Sequence, residues 1–273
     1  MAKIDRLGWV AGVAFNAYGV NIGVRVNTVE ALEHILPLLP PQWKPASSPV
    51  VTQLYSLVVG GESLHANVRR FNLVYTDILR VSRTADLGEA LETFESYMQT
   101  YLAMTARRWL FIHAAVVGWK GKAILITGGD VTGKTRLVAE LVRAGATYYS
   151  DEFAVLDSRG RVHPYAKPIS IRDEKTQRKT LHPAESFGGT VGSKPLPIGL
   201  VLLTQYKSGV RWRPKKLSIG QGIIELLPAA FSTPEQPEKV ISKLETALAD
   251  AVILKGRRGE AQDITSRILE DYF

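Results

Sequence analysis

The chain has 273 residues, 45% of them apolar and 22% charged, which is enough for one large domain or two small ones and excludes wholesale disorder. It has no cysteine, so disulfide frameworks, thiolate metal sites and cysteine nucleophiles are excluded. Its 34 Lys/Arg against 26 Asp/Glu give a net charge of +8. Residues 1–100 hold eight Lys/Arg and nine Asp/Glu, so the excess belongs to residues 101–273. Such an excess suits a phosphorylated ligand, a nucleic acid or an acidic partner, or simply a solubilising surface.

Lys3 and Arg6 precede an uncharged stretch, 7–24. Its four glycines and two asparagines, and Asp5 before it, argue against a leader or a membrane span. The stretch is expected to form a β-hairpin turning at Asn16-Ala17-Tyr18-Gly19, in a cytoplasmic protein with no membrane partner. Thr28 is expected to cap a short helix with apolar Leu32, Ile35, Leu36 and Leu39, ended by Pro37, Pro40 and Pro41. A loop over 40–49 leads to strands over 50–59 and 71–81. Asp86, with Glu89 three residues on, reads as a capping box opening a helix. Its apolar positions are Leu91, Phe94, Met98, Tyr101 and Leu102, with Arg107 and Arg108 near its end.

A domain boundary is placed at 106/107. Beyond it, two apolar strands, 109–119 and 123–127, are joined by a tight turn at Lys120-Gly121-Lys122. A helix over 134–144 follows, with Gly145 as its stop. Then come a short strand over 147–150, a hairpin around Arg159-Gly160 and a buried strand over 200–206. A late helix opens at Thr233-Pro234-Glu235-Gln236. This order predicts a mixed α/β (α+β) architecture, with a smaller N-terminal α+β domain over 1–106.

The most informative segment is Gly128-Gly129-Asp130-Val131-Thr132-Gly133-Lys134-Thr135, which fits G-x-x-x-x-G-K-[ST] between an apolar strand and an amphipathic helix. In that context backbone amides at a helix N-terminus can cradle phosphate. Lys134 is placed to reach the β- and γ-phosphates, and Thr135 to offer its hydroxyl to Mg²⁺. Arg136 is counted with this loop as nucleotide-binding. Asp151 and Glu152 follow the next strand, where ligands of α/β sheets collect. One carboxylate can hold Mg²⁺ and the other accept a proton from an attacking hydroxyl, although an acidic pair at a turn is also ordinary surface chemistry. His113 lies in an apolar run; it is either a core residue or, through the hairpin to the loop-bearing strand, a neighbour of the acidic pair.

The run 123–128 with Gly133-Lys134-Thr135, the helix ending at Gly145, and Ser150-Asp151-Glu152 resemble the catalytic domain of bacterial HPr serine kinase/phosphorylase. The resemblance covers roughly residues 109–206, with Phe187-Gly188 echoing a further family segment. It implies a mixed sheet with the loop at its edge, a fold shared with phosphoenolpyruvate carboxykinase, and ATP with Mg²⁺ as cofactors. It implies Lys134 and Thr135 at the phosphates and metal, Asp151 as base toward the acceptor hydroxyl, Glu152 as metal ligand and His113 near the phosphate. It further implies a serine of a protein or peptide as acceptor, and is compatible with homo-oligomeric rings.

The basic run Lys207, Arg211, Arg213, Lys215 and Lys216, with Val210 and Trp212 alternating, is read as a strand with one solvated face; nucleic acid is disfavoured as a partner. The polar stretch 172–182 is read as an acceptor-facing loop or simply a surface loop. The leading expectation is an ATP-dependent serine kinase-like phosphotransferase. Asp130 and Val131, which stand where the family has Ser and Gly, favour the alternative of a nucleotide-binding regulatory or scaffold module that has lost turnover. A small-metabolite kinase is the remaining reading.

Overall fold

The protein is described here from a computed structural model. It describes residues 3–61, 70–128, 133–172, 179–231 and 237–273. The chain divides into two compact units, Met1–Arg107 and Arg108–Phe273.

In the first unit, β1 (Ala11–Ala17) and β2 (Val20–Val26) form the expected hairpin. Its two-residue turn has left-handed Tyr18 and Gly19, the primed geometry that matches strand twist. Helix α1 (Ala31–Ile35) follows, and Thr28 Oγ1 accepts the Ala31 amide just before it. Strands β3 (Lys44–Pro45), β4 (Gln53–Val58), β5 (Asn72–Thr76) and β6 (Leu79–Thr84) complete a six-stranded sheet of order β3-β1-β2-β4-β5-β6. The expected single strand over 71–81 is therefore two, because the chain reverses at Asp77 and Ile78. The Asp77 amide donates to Leu54 O at 2.8 Å and its carboxylate accepts the Leu54 amide, so a neighbouring strand holds the turn.

Helix α2 (Leu87–Thr105) is capped by Asp86, whose carboxylate accepts the Glu89 amide. The reciprocal half of the expected capping box is replaced. Glu89 accepts the Thr84 hydroxyl at 2.6 Å, and Thr84 Oγ1 accepts the Asp86 amide. The helix buries Phe94, Met98 and Leu102, and Phe94 meets Tyr55 of β4 edge to face at 5.6 Å. Each such burial contributes on the order of 1.5–3 kcal/mol.

The second unit has β7 (Leu110–His113), β8 (Ala115–Trp119), β9 (Lys122–Thr127), α3 (Lys134–Arg143), β10 (Thr147–Ser150) and β11 (Phe153–Leu156). Next are β12 (Val162–His163), β13 (Ile169–Arg172), β14 (Lys179–His182), β15 (Ile198–Tyr206) and β16 (Lys215–Lys216). The unit closes with α4 (Ile219–Leu226), β17 (Ala230–Phe231), α5 (Pro237–Leu248), β18 (Val252–Arg258) and α6 (Ala261–Glu270). The central sheet has the order β10-β8-β9-β15-β18-β16, and a second has the order β12-β11-β7-β17. Strands β9, β15 and β18 are parallel. In β9 from Ala123 and in β15 as far as Leu203 the side chains are buried on both faces: Ile126, Leu200 and Leu202 pack with α3 and α6, whereas Leu125, Val201 and Leu203 pack with α4 and α5. Two covered faces explain why these strands are continuous apolar runs. No helix among the described residues is long and apolar enough to cross a membrane.

Three local expectations are corrected. The run 109–119 is two strands in different sheets: β7 pairs with β11, and only β8 pairs with β9. The stretch 210–213 is not a strand, although Trp212 is buried between exposed Arg211 and Arg213, because its indole packs over Gly256 of β18. The polar stretch 172–182 carries paired strand, β14 against β13. The expected opening of the late helix at Thr233-Pro234-Glu235-Gln236 lies outside the described residues.

Gly160, in the turn between β11 and β12, has φ +72°, and a Cβ there would stand 2.6 Å from Ala247 Cα of α5. Gly160→Ala is expected to cost roughly 2–3 kcal/mol, from left-handed strain plus overpacking. Gly209→Ala, with φ +74° and nothing within 4 Å, should show the strain alone. Urea denaturation of both variants separates the two terms; equal costs would mean that α5 yields to the added methyl.

Candidate functional site

The apolar run of β9 ends at Thr127 and Gly128, and α3 begins at Lys134. The junction turns at Gly133, which has φ +70°; a Cβ there would lie 2.8 Å from an Arg258 guanidinium nitrogen. Only glycine fits this backbone in this space. The first helical bond runs from the Leu137 amide to Gly133 O at 3.1 Å, so the amides of Lys134, Thr135 and Arg136 stand at the positive end of the helix. Lys134 folds back, its ammonium donating to Gly128 O at 3.2 Å. Thr135 is half-buried and Arg136 exposed. The hydrophobic face of α3 fixes this junction against the sheet, and Gly145 and Ala146 amides close its other end on Val142 and Leu141 carbonyls. Gly129, Asp130, Val131 and Thr132 lie outside the described residues.

The acidic pair leaves the sheet at the same edge. Ser150 pairs with Val116, and Val116 with Leu125 of β9, so Asp151 and Glu152 stand two strand spacings from β9, about 10 Å. Ser150 Oγ turns the chain by accepting the amides of Glu152 and Phe153. Asp151 Oδ1 accepts the Tyr148 hydroxyl at 3.0 Å, and Oδ2 accepts the Ser170 amide at 3.2 Å. Burial pushes the Asp151 carboxyl up to about 6, the Glu152 charge adding to it, against the lowering effect of the Ser170 and Tyr148 hydrogen bonds. Tyr148 is pushed up as well, by burial first and then by the Asp151 charge.

His113 reaches this edge by another route than expected. The chain breaks at buried Ala114 and changes sheet, which puts His113 at the end of β7, paired with Phe153. Its Nδ1 is 3.7 Å from Glu152 Oε1, and its carbonyl accepts the Thr127 hydroxyl at 3.3 Å. The imidazole thus stands between the end of β9 and the acidic pair.

A cavity of about 780 Å³ opens over the carboxyl ends of β9, β15 and β18. Its wall includes His113, Thr127, Gly128, Leu203, Phe231, Lys255 and Arg257; Asp151 is not among the described residues that line it. Lys255, Arg257 and Arg258 were not singled out from the sequence. The signal that could have found them is the Lys255-Gly256-Arg257-Arg258 run at the end of the apolar Val252-Ile253-Leu254. Arg258 is 1% exposed and donates to Gly133 O at 2.7 Å and Gly259 O at 3.0 Å.

Among the described residues no group of three or more His, Asp or Glu is placed to hold a metal by itself. The Gly133 junction, however, fits a phosphate in its described parts: a helix N-terminus with a lysine ammonium beside it.

No family model matches the chain. No curated protein matches it. Among solved structures, the HPr(Ser) kinase/phosphatase from Coxiella burnetii is similar over 49% of this chain and 91% of that one, at 16% identity and a TM-score of 0.30.

Proposed function

We propose that the second unit binds Mg-ATP at the Gly128–Thr135 loop and transfers phosphate to a hydroxyl, as the motif resemblance to HPr serine kinase implies. The observation that carries this reading is the junction itself. A buried strand ends in Gly128, a left-handed Gly133 opens α3, and Lys134 is folded over the gap between them with its ammonium 3.2 Å from Gly128 O. Bound Mg-ATP supplies the transferable phosphoryl group. The chain's own residues bind and orient it: the α3 amides and Lys134 take the phosphates, and Thr135 and Glu152 the metal. Asp151 takes the proton of the acceptor hydroxyl on its carboxylate, and its raised value near 6 suits a base working around neutral pH. His113 orients Glu152 from 3.7 Å away.

Lys134→Ala is expected to weaken Mg-ATP binding at least tenfold in titration calorimetry, through loss of the phosphate-facing charge. Equal affinity in variant and parent would overturn the reading. A second reading, a nucleotide-binding regulatory module without turnover, is favoured by the engagement of both Asp151 oxygens with Tyr148 and Ser170. Release of labelled phosphate, or its transfer to an acceptor, separates the two. Binding without either supports the regulatory module.

A further inference from the structure

The cavity beside the phosphate loop has the volume of a small-molecule site, about 780 Å³. It lies at the carboxyl ends of three parallel strands, where α/β sheets hold their ligands. One wall is Gly128, so whatever fills the cavity abuts the loop. Leu203 and Phe231 make an apolar wall. The charges sit elsewhere. Lys255 and Arg257 are two residues apart on β18 and share one face of the strand, with Gly256 between them adding no side chain. Lys255 is paired with Glu225 of α4 at 2.5 Å. Arg257 is exposed and makes no salt bridge among the described residues. The lining is thus net positive at the β18 end, with His113 and Gly128 at the other.

We infer that this cavity is the acceptor site, and that the acceptor is a small anionic molecule bearing a hydroxyl group rather than a protein serine. The inference rests on the phosphotransferase reading. The anionic end is held at Arg257, whose planar fork binds carboxylate and phosphate alike in two parallel hydrogen bonds. The hydroxyl end lies toward Gly128 and His113, whose Nδ1 is 3.7 Å from Glu152 Oε1. The apolar wall excludes water and sets the length of molecule that fits. A purine base would require no cation in this wall, and the triphosphate is already provided for at α3.

The test uses the full chain with D-glycerate as the carboxylate probe, glycerol 3-phosphate as the phosphate probe, a seryl peptide and adenosine. Calorimetry is expected to detect one of the two small anions, with at least tenfold weaker binding in Arg257→Met. Lys255→Met should weaken it less, since Glu225 already engages that ammonium. Both changed residues are exposed, and circular dichroism confirms that the variants fold. Binding of neither small anion, or equal binding in Arg257→Met and parent, overturns the inference. So does displacement of the bound anion by adenosine, or phosphorylation of the peptide alone. Mg-ATP affinity of the parent and of Lys134→Ala is measured in the same series. A failed nucleotide site is therefore distinguished from a misassigned acceptor site.

Discussion

Asp151→Asn is expected to make the protein more stable at pH 8 and to lower phosphotransfer at least ~10²-fold, the low end for loss of a general base. The carboxyl is raised from its ordinary 3.8 to about 6, by burial first, then by the neighbouring Glu152 charge. Below 3.8 the group is protonated in the folded and the unfolded chain, and its favourable contribution is fully present. As pH rises through 6 the folded chain must ionise a buried carboxyl, and that contribution is lost. At pH 8 the ionised group therefore costs up to roughly 3 kcal/mol relative to a neutral one. Asparagine still accepts the Ser170 amide, and Tyr148 can donate to Lys167 O, which it already reaches at 2.8 Å. The denaturation midpoints of variant and parent should diverge at pH 8 and converge near pH 4. Turnover of the parent should rise through pH 6 and level off above it. A variant less stable than the parent at pH 8, or one with full turnover, would make Asp151 a structural anchor. A carboxylate kept ionised in a buried place at a cost in stability is what a catalytic role predicts.

The parts of the site that depend on local geometry were legible in the sequence. Gly133 before Lys134 needs a left-handed backbone, and an apolar strand before it and an amphipathic helix after it place that backbone at a sheet edge. Ser150 before Asp151-Glu152 makes its own turn through its hydroxyl. His113 was harder. A continuous strand over 109–119 would have carried it into the loop-bearing sheet, and the break at Ala114 leaves no sequence mark beyond two small residues. It still arrives beside Glu152, because β7 and β8 diverge from a common corner. The cations of β18 were not legible as site residues, since β18 joins β9 only through β15.

The fold shows the same division. Runs buried on both faces, as in 123–127 and 198–203, can only be interior strands, and they are. Reversals held by tertiary partners were missed. Asp77 turns the chain with φ +49° because Leu54 accepts its amide and donates to its carboxylate. Nothing near residue 77 in the chain announces Leu54. The converse error is Trp212. Its alternation with arginines imitates a strand, but its burial comes from joining the core under α6, with Gly256 leaving room for the indole, rather than from a ladder.

Arg258 should prove the most sensitive residue in the second unit that sequence reading passed over. Its side chain is 1% exposed, spans from the end of β18 to the first turn of α3, and donates to Gly133 O at 2.7 Å and Gly259 O at 3.0 Å. Burial lowers its pKa, while Glu260 and Tyr206 act to raise it. A guanidinium stays charged through such a shift. Arg258→Met is expected to cost about 3–5 kcal/mol, because it removes two charge-assisted hydrogen bonds from a buried space shaped for a planar fork, leaving Gly133 O with the Leu137 amide alone. Arg258→Lys keeps the charge but reaches one carbonyl at a time, and should cost about half as much. Stability alone would not distinguish a junction clamp from an ordinary core residue. The separating measurement is Mg-ATP affinity of Arg258→Lys below its unfolding range. If Arg258 sets the left-handed turn at Gly133, affinity falls about tenfold while α3 stays folded, because the amides of Lys134 and Thr135 lose their aim. If affinity is unchanged in a destabilised but folded variant, Arg258 supports the sheet and the loop holds its own shape.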